Sequence, residues 1–173
     1  MSKPSRKRVK LREGDVFELS LPDGRFGYGV IVKQGGLPSG GTPYIAIFRS
    51  AYDQRPDLAK IAKDEVALAG WTMDGLIYHG RWNVIGGDFP VPSIPFPNFK
   101  VESGGEFYVL DVEGHFIDLA TPHEVDLLDY QFSRASLGFQ DAFEALHGFG
   151  EWQDHFDKLT PAYAKARITR PLS

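Results

Sequence analysis

The sequence predicts a mainly β fold of α+β character. We expect a small, strongly coiled antiparallel sheet or an SH3-like barrel, followed by short C-terminal helices. Short alternating apolar runs separated by turns rich in Gly and Pro are typical of antiparallel strands. Aromatic residues make up 13% of the chain, and 19 Gly and 12 Pro favour short strands and many turns. Apolar residues at helical spacing follow only after Thr121.

The first predicted hairpin covers residues 15–33, DVFELSLPDGRFGYGVIVK. Its turn is Pro22-Asp23-Gly24-Arg25, where Pro fixes φ and Gly accepts a positive φ. Gly27 and Gly29 alternate with Tyr28, so the two glycines lie on one face of the strand and Tyr28 on the other. Glycines inside a strand indicate coiling, a bulge or a close approach, and we expect them to bend the sheet.

Later elements follow from similar signals. Residues 34–42 read as a flexible loop, 43–50 as a strand, 57–69 as a short helix that leads into a strand, and 76–85 as a strand interrupted at Gly80. Four prolines exclude residues 86–97 from a central strand, so they should run extended over the surface. Residues 107–119 form a second predicted hairpin with its turn at 111–114.

The helical part begins with Thr121-Pro122-His123-Glu124, a capping box with Pro at the first helical position. Apolar residues continue at helical spacing from Leu127 to Phe149, with breaks near Gly138 and Gly148, and residues 151–159 suit a further short helix. We therefore divide the chain into a flexible basic tail (1–13), a β-rich domain (14–120), an acidic helical segment (121–160) packed on that domain, and a C-terminal tail (161–173).

Charge is distributed unevenly along the chain. Residues 101–157 hold thirteen acidic side chains and one base, Arg134, whereas residues 1–13 hold six bases and one acid. A strongly anionic region attracts a cationic partner, although it also describes a solvated face that keeps a protein in solution. The chain has no Cys, which excludes disulfides and thiolate metal sites. No apolar run is long enough to span a membrane, and we expect a cytoplasmic protein.

Residues that could carry catalysis or bind a metal are scattered. The five His lack the spacing of a metal motif, and the serines Ser39 and Ser103 lack a nucleophile elbow. We therefore expect no enzyme activity, no metal and no cofactor. Trp71 and Trp82 are predicted to fill the core, each with a hydrogen-bond partner for its indole N–H.

Two stretches resemble the immunity protein 26 family of bacterial polymorphic toxin systems. The first is the strand Gly14-Asp15-Val16-Phe17, with the Pro-Asp-Gly turn and the return Phe26-Gly27-Tyr28-Gly29. The second runs from Trp71 through Trp82 to the Pro-rich stretch that ends at Phe99-Lys100. The hairpin at residues 109–114 fits as well, so the resemblance covers about residues 11–119.

The resemblance implies an antitoxin that binds and neutralises a cognate protein toxin without catalysis. An acidic inhibitor suits a toxin with a cationic cleft, such as a nuclease. Acidic residues of the helical segment, with two aromatic anchors, are the expected toxin-facing residues. They are Glu124, Asp126, Asp129, Tyr130, Asp141, Glu144 and Trp152. The sequence does not identify the toxin or the oligomeric state.

Two other functions stay open. A regulatory barrel associated with nucleic acid would use the basic tail to neutralise phosphates, although a pI near 5.7 argues against a nucleic-acid partner. A small hydrolase would bring together two or more of four side chains near the second hairpin, in a pocket. These are Asp111, Glu113, His115 and Asp118.

Overall fold

An open antiparallel sheet forms the centre of the molecule in the computed structural model, which describes residues 9–35 and 41–171. Its strands are β1 (Val16–Ser20), β2 (Phe26–Lys33), β3 (Tyr44–Phe48), β4 (Val66–Trp71) and β5 (Asn83–Gly86). They lie in the order β4-β3-β2-β1-β5, and every neighbouring pair is antiparallel. The two edge strands do not pair, so the open sheet is correct and the barrel alternative is wrong.

A second, smaller antiparallel sheet and several short helices complete the fold. The smaller sheet consists of β6 (Phe99–Ser103), β7 (Glu106–Leu110) and β8 (Phe116–Leu119), with β7 in the middle. The helices are α1 (Leu58–Ile61), α2 (Gly75–Tyr78), α3 (Pro122–Leu127), α4 (Ser136–Leu146) and α5 (Pro161–Lys165). A 3₁₀ helix covers Asp154–Leu159. Mainly β with short helices is therefore the observed class.

Apolar layers cover both faces of the large sheet. On one face the core contains side chains from β1, β3, α2 and α4, including Phe17, Ile47, Phe139 and Phe143. On the other face Tyr28 and Phe48 pack with residues of the Pro-rich stretch, including Phe89. All five residues of β3 are buried, as expected for a strand covered on both sides. The Pro-rich stretch is irregular as predicted, and it also forms part of this second layer.

Gly27 and Gly29 make room for aromatic rings. A Cβ atom at Gly29 would lie 2.2 Å from Cζ of Phe17, the residue opposite it on β1. A Cβ atom at Gly27 would lie 2.4 Å from Cζ of Phe143 on α4. Tyr28 points to the opposite face, as predicted, and donates a hydrogen bond from its hydroxyl to buried Glu18 at 2.9 Å. The glycines thus allow the close packing of strand, ring and helix.

The interrupted strand predicted at residues 76–85 is wrong for its first half. Residues 75–78 form α2, and only Asn83–Gly86 are in a strand. Leu76 and Ile77 are both buried against the α4 side of the sheet, and the Leu76 backbone N–H donates to the Ser136 hydroxyl at 3.0 Å. The apolar residues in LIYHGRW are compatible with a helix or a strand over so short a run, and packing against α4 selects the helix.

The helical spacing predicted from Leu127 onward fails over residues 128–135. This stretch is extended, because its backbone bonds to distant strands: Arg134 pairs with Thr72, and Tyr130 pairs with Lys100, both in parallel bridges. Helix resumes at Ser136. These partners lie far away in the sequence, so local periodicity could not show them. We call residues 128–135 the extended segment.

Several local predictions are confirmed. Thr121 and Glu124 form the capping box at the start of α3, and residues 154–159 are helical as expected. The second hairpin turns at residues 111–114, where the Gly114 N–H donates to the Asp111 carbonyl at 3.0 Å. Residues 1–8 of the predicted basic tail, and residues 36–40 of the predicted flexible loop with Ser39, lie outside the described residues.

Trp82 fills the core as predicted. It stacks on Phe17 with ring centroids 4.8 Å apart, and its indole N–H donates to Gln140 Oε1 at 2.8 Å. Trp71 is buried too, at 4% exposure. Its indole N–H, however, has no hydrogen-bond partner among the described residues, which differs from the prediction.

Candidate partner-binding surface

Glu124 is the most buried of the seven predicted toxin-facing residues. It is 5% exposed, and it accepts hydrogen bonds from Arg170 Nε at 2.8 Å and Nη2 at 3.0 Å, besides the backbone N–H of Thr121. The hydrogen bond from Arg170 is the main reason that the pKa of Glu124 falls to about 2, although burial opposes it. Glu124 therefore connects α3 to Arg170, which lies in the predicted C-terminal tail (161–173).

Asp129 is also engaged within the fold. Its carboxylate accepts hydrogen bonds from the Tyr163 hydroxyl at 2.6 Å and from Lys158 Nζ at 3.0 Å, and Arg167 Nε lies 3.9 Å away. Burial pushes the pKa of Asp129 up, but these hydrogen bonds and positive charges outweigh it and hold the pKa below its ordinary value. Burial and the bond to Asp129 raise the pKa of Tyr163 to about 12.

The remaining predicted acids are more accessible, but they occupy two places. Asp141 is exposed and Glu144 half-buried on α4, where Glu144 accepts a hydrogen bond from Gln140 at 2.9 Å. Asp126 is exposed on α3. This helix is joined to the smaller sheet by a hydrogen bond that Lys100 Nζ donates to the Val125 carbonyl oxygen. The structure therefore places Asp141 and Glu144 on one helix and Asp126 on another.

The two predicted aromatic anchors are exposed. Trp152 is 37% exposed, donates its indole N–H to Asp157 at 2.7 Å and contacts Phe156 edge to face. Since α4 packs against the 3₁₀ helix that contains Phe156, Trp152 belongs to the α4 side of the molecule. Tyr130 is 51% exposed in the extended segment, with Lys100 Nζ 5.1 Å from its ring centroid.

An exposed apolar strand was not foreseen. All four residues of β8 are exposed, including Phe116, Ile117 and Leu119, and the strand forms one edge of the smaller sheet. The fourth residue of β8, Asp118, is an exposed acid. The alternation in HFIDL predicted the strand, but only the tertiary arrangement shows that its side chains stay exposed among residues 9–35 and 41–171. An exposed apolar patch with polar residues at its rim is typical of protein-binding surfaces.

The cluster that would support a hydrolase sits on an exposed turn. His115 Nδ1 lies 3.0 Å from Asp111 Oδ2 and 3.8 Å from Glu113 Oε2. Asp111 Oδ1 accepts hydrogen bonds from the backbone N–H groups of Glu113 and His115, both at 2.9 Å. Asp side chains commonly stabilise turns by such bonds to the backbone. The cluster is therefore accounted for by the conformation of the β7–β8 turn.

Comparison with known proteins decides the family. The family model of immunity protein 26 matches residues 12–106, more than half of the chain. The chain belongs to the immunity protein 26 family. The matched region contains the large sheet and β6, and it ends where β7 begins. No curated protein and no solved structure matched significantly.

In residues 9–35 and 41–171, none of the helices is long and apolar enough to cross a bilayer. Within the same residues, no group of three or more His, Asp or Glu side chains is arranged to hold a metal ion.

Proposed function

We propose that this protein is the immunity partner of a bacterial polymorphic toxin, which it binds and neutralises in the cytoplasm of the cell that makes both. It acts by protein–protein contact and catalyses no reaction. Membership of the immunity protein 26 family is the observation that carries this proposal. The exposed acids and aromatic side chains of residues 121–160 support it, because such side chains serve as charged rims and anchors in protein interfaces.

The toxin-facing surface is centred on the outer side of α4. Asp141 and Glu144 supply negative charge there, and Trp152 supplies an aromatic anchor. Asp126 and Tyr130 extend the surface toward the smaller sheet. Glu124 and Asp129 support this surface without contacting the toxin. Their bonds to Arg170, Lys158 and Tyr163 hold α3 and the extended segment in place.

A toxin with a cationic cleft is the partner that this surface suits. Nuclease toxins must bind phosphates with Lys and Arg, and an anionic inhibitor can occupy such a cleft while its field speeds the encounter. The contribution of exposed charges weakens as salt screens them, over about 8 Å at physiological ionic strength. Affinity for the toxin should therefore fall between low and moderate salt.

The first test is binding to the product of the adjacent gene, by pull-down and calorimetry at low and moderate salt. A tight complex supports the immunity function. An affinity that falls with salt supports the acidic surface as the interface. A tight complex whose affinity does not depend on salt indicates instead that apolar residues, such as those of β8, form the interface. Absence of binding, together with undiminished toxicity in cells that express both proteins, contradicts the proposed function.

Three charge reversals can locate the surface. Each changes the net charge by the same amount, so a difference in binding between them reflects the position of the residue. Asp141→Lys tests α4, Asp126→Lys tests α3, and Asp53→Lys is the matched control, an exposed acid outside the acidic segment. We expect Asp141→Lys to weaken binding about tenfold at low salt, mostly through slower association, and Asp53→Lys to change it less than about twofold. Equal effects at all three positions would contradict this location for the surface.

A further inference from the structure

A small cavity lies where the large sheet, the start of β6, the extended segment and the C-terminal helices meet. Its volume is about 50 Å³, and we call it the junction cavity. The residues that matter to its chemistry are Trp71, Asp129, Arg134, Lys158, Tyr163 and Arg167. A single water needs roughly 10–15 Å³ by a comparable measure, so the cavity suits one small chemical group and not a whole drug-sized molecule.

The charges around the junction cavity do not balance. Three cations, Arg134, Lys158 and Arg167, face one carboxylate, Asp129. Asp129 is already bonded to Lys158 and Tyr163. Arg134 has no carboxylate within 4 Å among the described residues, and its guanidinium lies over the Phe132 ring at 4.7 Å from the centroid. The junction cavity is therefore a cationic site, although the chain as a whole carries a net charge of −4.

Two buried donors at the junction cavity lack acceptors. The Trp71 indole N–H has no hydrogen-bond partner in the described part of the chain, although the side chain is 4% exposed. Arg167 Nε is also buried without a hydrogen bond, and its nearest carboxylate oxygen, on Asp129, is 3.9 Å away. Unpaired buried donors are rare in folded proteins, because such an N–H group has lost its hydrogen bonds to water without gaining another acceptor. Both donors would gain from an acceptor oxygen.

We propose that the junction cavity binds one oxyanion group, a carboxylate or a phosphate, with Arg134 as its principal charged donor and Trp71 as a neutral donor. The planar guanidinium of Arg presents paired N–H groups that match two oxygens of such a group. The site goes beyond the proposed function, since it takes an anion while the toxin-facing surface is itself anionic. The oxyanion belongs either to a free small molecule or to a side chain of the toxin.

Nuclear magnetic resonance can test the site directly. The chain has three Trp, so the ¹⁵N-labelled full-length protein should give three indole N–H signals. Sodium acetate and sodium phosphate are added separately, with NaCl keeping the ionic strength constant. We expect the Trp71 signal to shift and saturate, while Trp82 and Trp152, already bonded to Gln140 and Asp157, stay in place. Absence of a saturable Trp71 shift with both anions would overturn the proposal.

Matched variants separate the site from general charge effects. Arg134→Met keeps the length and removes the charge, and we expect it to weaken oxyanion binding roughly tenfold or more. Arg49→Met removes an equivalent charge from an exposed pair with Glu65 and should change the affinity less than about twofold. If Arg134→Met loses its dispersed spectrum, Arg134→Lys replaces it: this variant keeps the positive charge but not the paired N–H groups, and it should still weaken oxyanion binding by about threefold or more. Equal binding by Arg134→Met and Arg49→Met would overturn the proposal.

A further comparison identifies the source of the oxyanion. Arg134→Met and Arg49→Met are each titrated with the product of the adjacent gene at one salt concentration. A loss of affinity confined to Arg134→Met means that the toxin supplies the oxyanion. Equal affinities, together with the saturable Trp71 shift, mean that a free small molecule supplies it.

Discussion

The large sheet and the chain after residue 120 are stabilised by different forces. Both faces of the sheet are covered by apolar side chains, and its central strand β3 is buried throughout. Among the described residues after 120, α4 and the 3₁₀ helix contribute most to the apolar layer on one face of that sheet. The α3 helix and the extended segment depend on Glu124 with Arg170, on Asp129 with Lys158 and Tyr163, and on backbone bridges.

This difference has a consequence for the proposed toxin-facing surface. Apolar packing responds little to pH or salt, whereas ion pairs weaken when a partner is neutralised or screened. The sheet should therefore persist under conditions that loosen α3 and the extended segment.

The largest effect is expected at Gly29. An added Cβ would meet the Phe17 ring at 2.2 Å and the Ala46 carbonyl oxygen at 2.8 Å, so Gly29→Ala forces the sheet to shift. We expect it to lower the free energy of unfolding by about 3 kcal/mol, measured by urea denaturation.

Gly138 on α4 is the matched control, because a Cβ there would have no atom within 4 Å. Gly138→Ala should raise the free energy of unfolding by up to about 1 kcal/mol, since Ala favours helix over Gly. Similar losses in both variants would show that the close ring contact at Gly29 is not what requires glycine there.

A smaller effect is expected at Glu124, with a defined pH dependence. Its folded-state pKa of about 2 lies below the ordinary value of 4.5 for a Glu side chain, so the carboxylate stabilises the fold above pH 4.5. That contribution is lost as the pH falls from about 4.5 to 2. Glu124→Gln should cost about 2 kcal/mol at pH 7 and flatten the acid side of the stability curve, measured by urea denaturation at several pH values.

Asp126→Asn serves as the comparison for Glu124→Gln, since Asp126 is exposed on the same helix. We expect it to change the free energy of unfolding by less than about 0.5 kcal/mol at any pH. If Glu124→Gln kept the acid dependence of the unaltered protein, the bond to Arg170 would not be its source.

The smallest effect is expected at Tyr163, whose hydroxyl bonds to Asp129 at 2.6 Å. Tyr163→Phe removes one hydrogen bond to a charged group and should cost about 1–1.5 kcal/mol, seen as a lower Tm. Tyr130→Phe removes a hydroxyl from an exposed ring and should leave Tm nearly unchanged. Equal shifts in the two variants would show that the bond at Asp129 contributes nothing specific.

Local signals in the sequence predicted the elements that local chemistry determines. The Pro-Asp-Gly turn, the capping box of Thr121 and Glu124, and the turn that ends at Gly114 are confirmed. In each of them the side chains and backbone that determine the conformation lie within a few residues. Elements determined by distant partners were missed: α2 by its packing on α4, and the extended segment by its bridges to Thr72 and Lys100.

The candidate surface likewise has one feature that the sequence predicted and others that depend on distant partners. Composition showed the acidic excess, but the cations that engage Glu124 and Asp129 follow 46 and 29 residues later, at Arg170 and Lys158. Which acids stay exposed therefore depends on the fold. The junction cavity was beyond reach for the same reason, because Trp71 and Arg134 meet only through a bridge between distant segments.

The aromatic rings beside Gly27 and Gly29 also allow NMR to follow the helical layer and the sheet separately. The α protons of Gly29 lie against Phe17 within the sheet, and those of Gly27 lie against Phe143 of α4, so ring currents should displace both sets of resonances. As denaturant is added, the Gly27 signals report the departure of α4, and the Gly29 signals report the separation of β1 from β2. Simultaneous loss would mean that helix and sheet unfold as one unit, and earlier loss at Gly27 would mean that the helical layer leaves first.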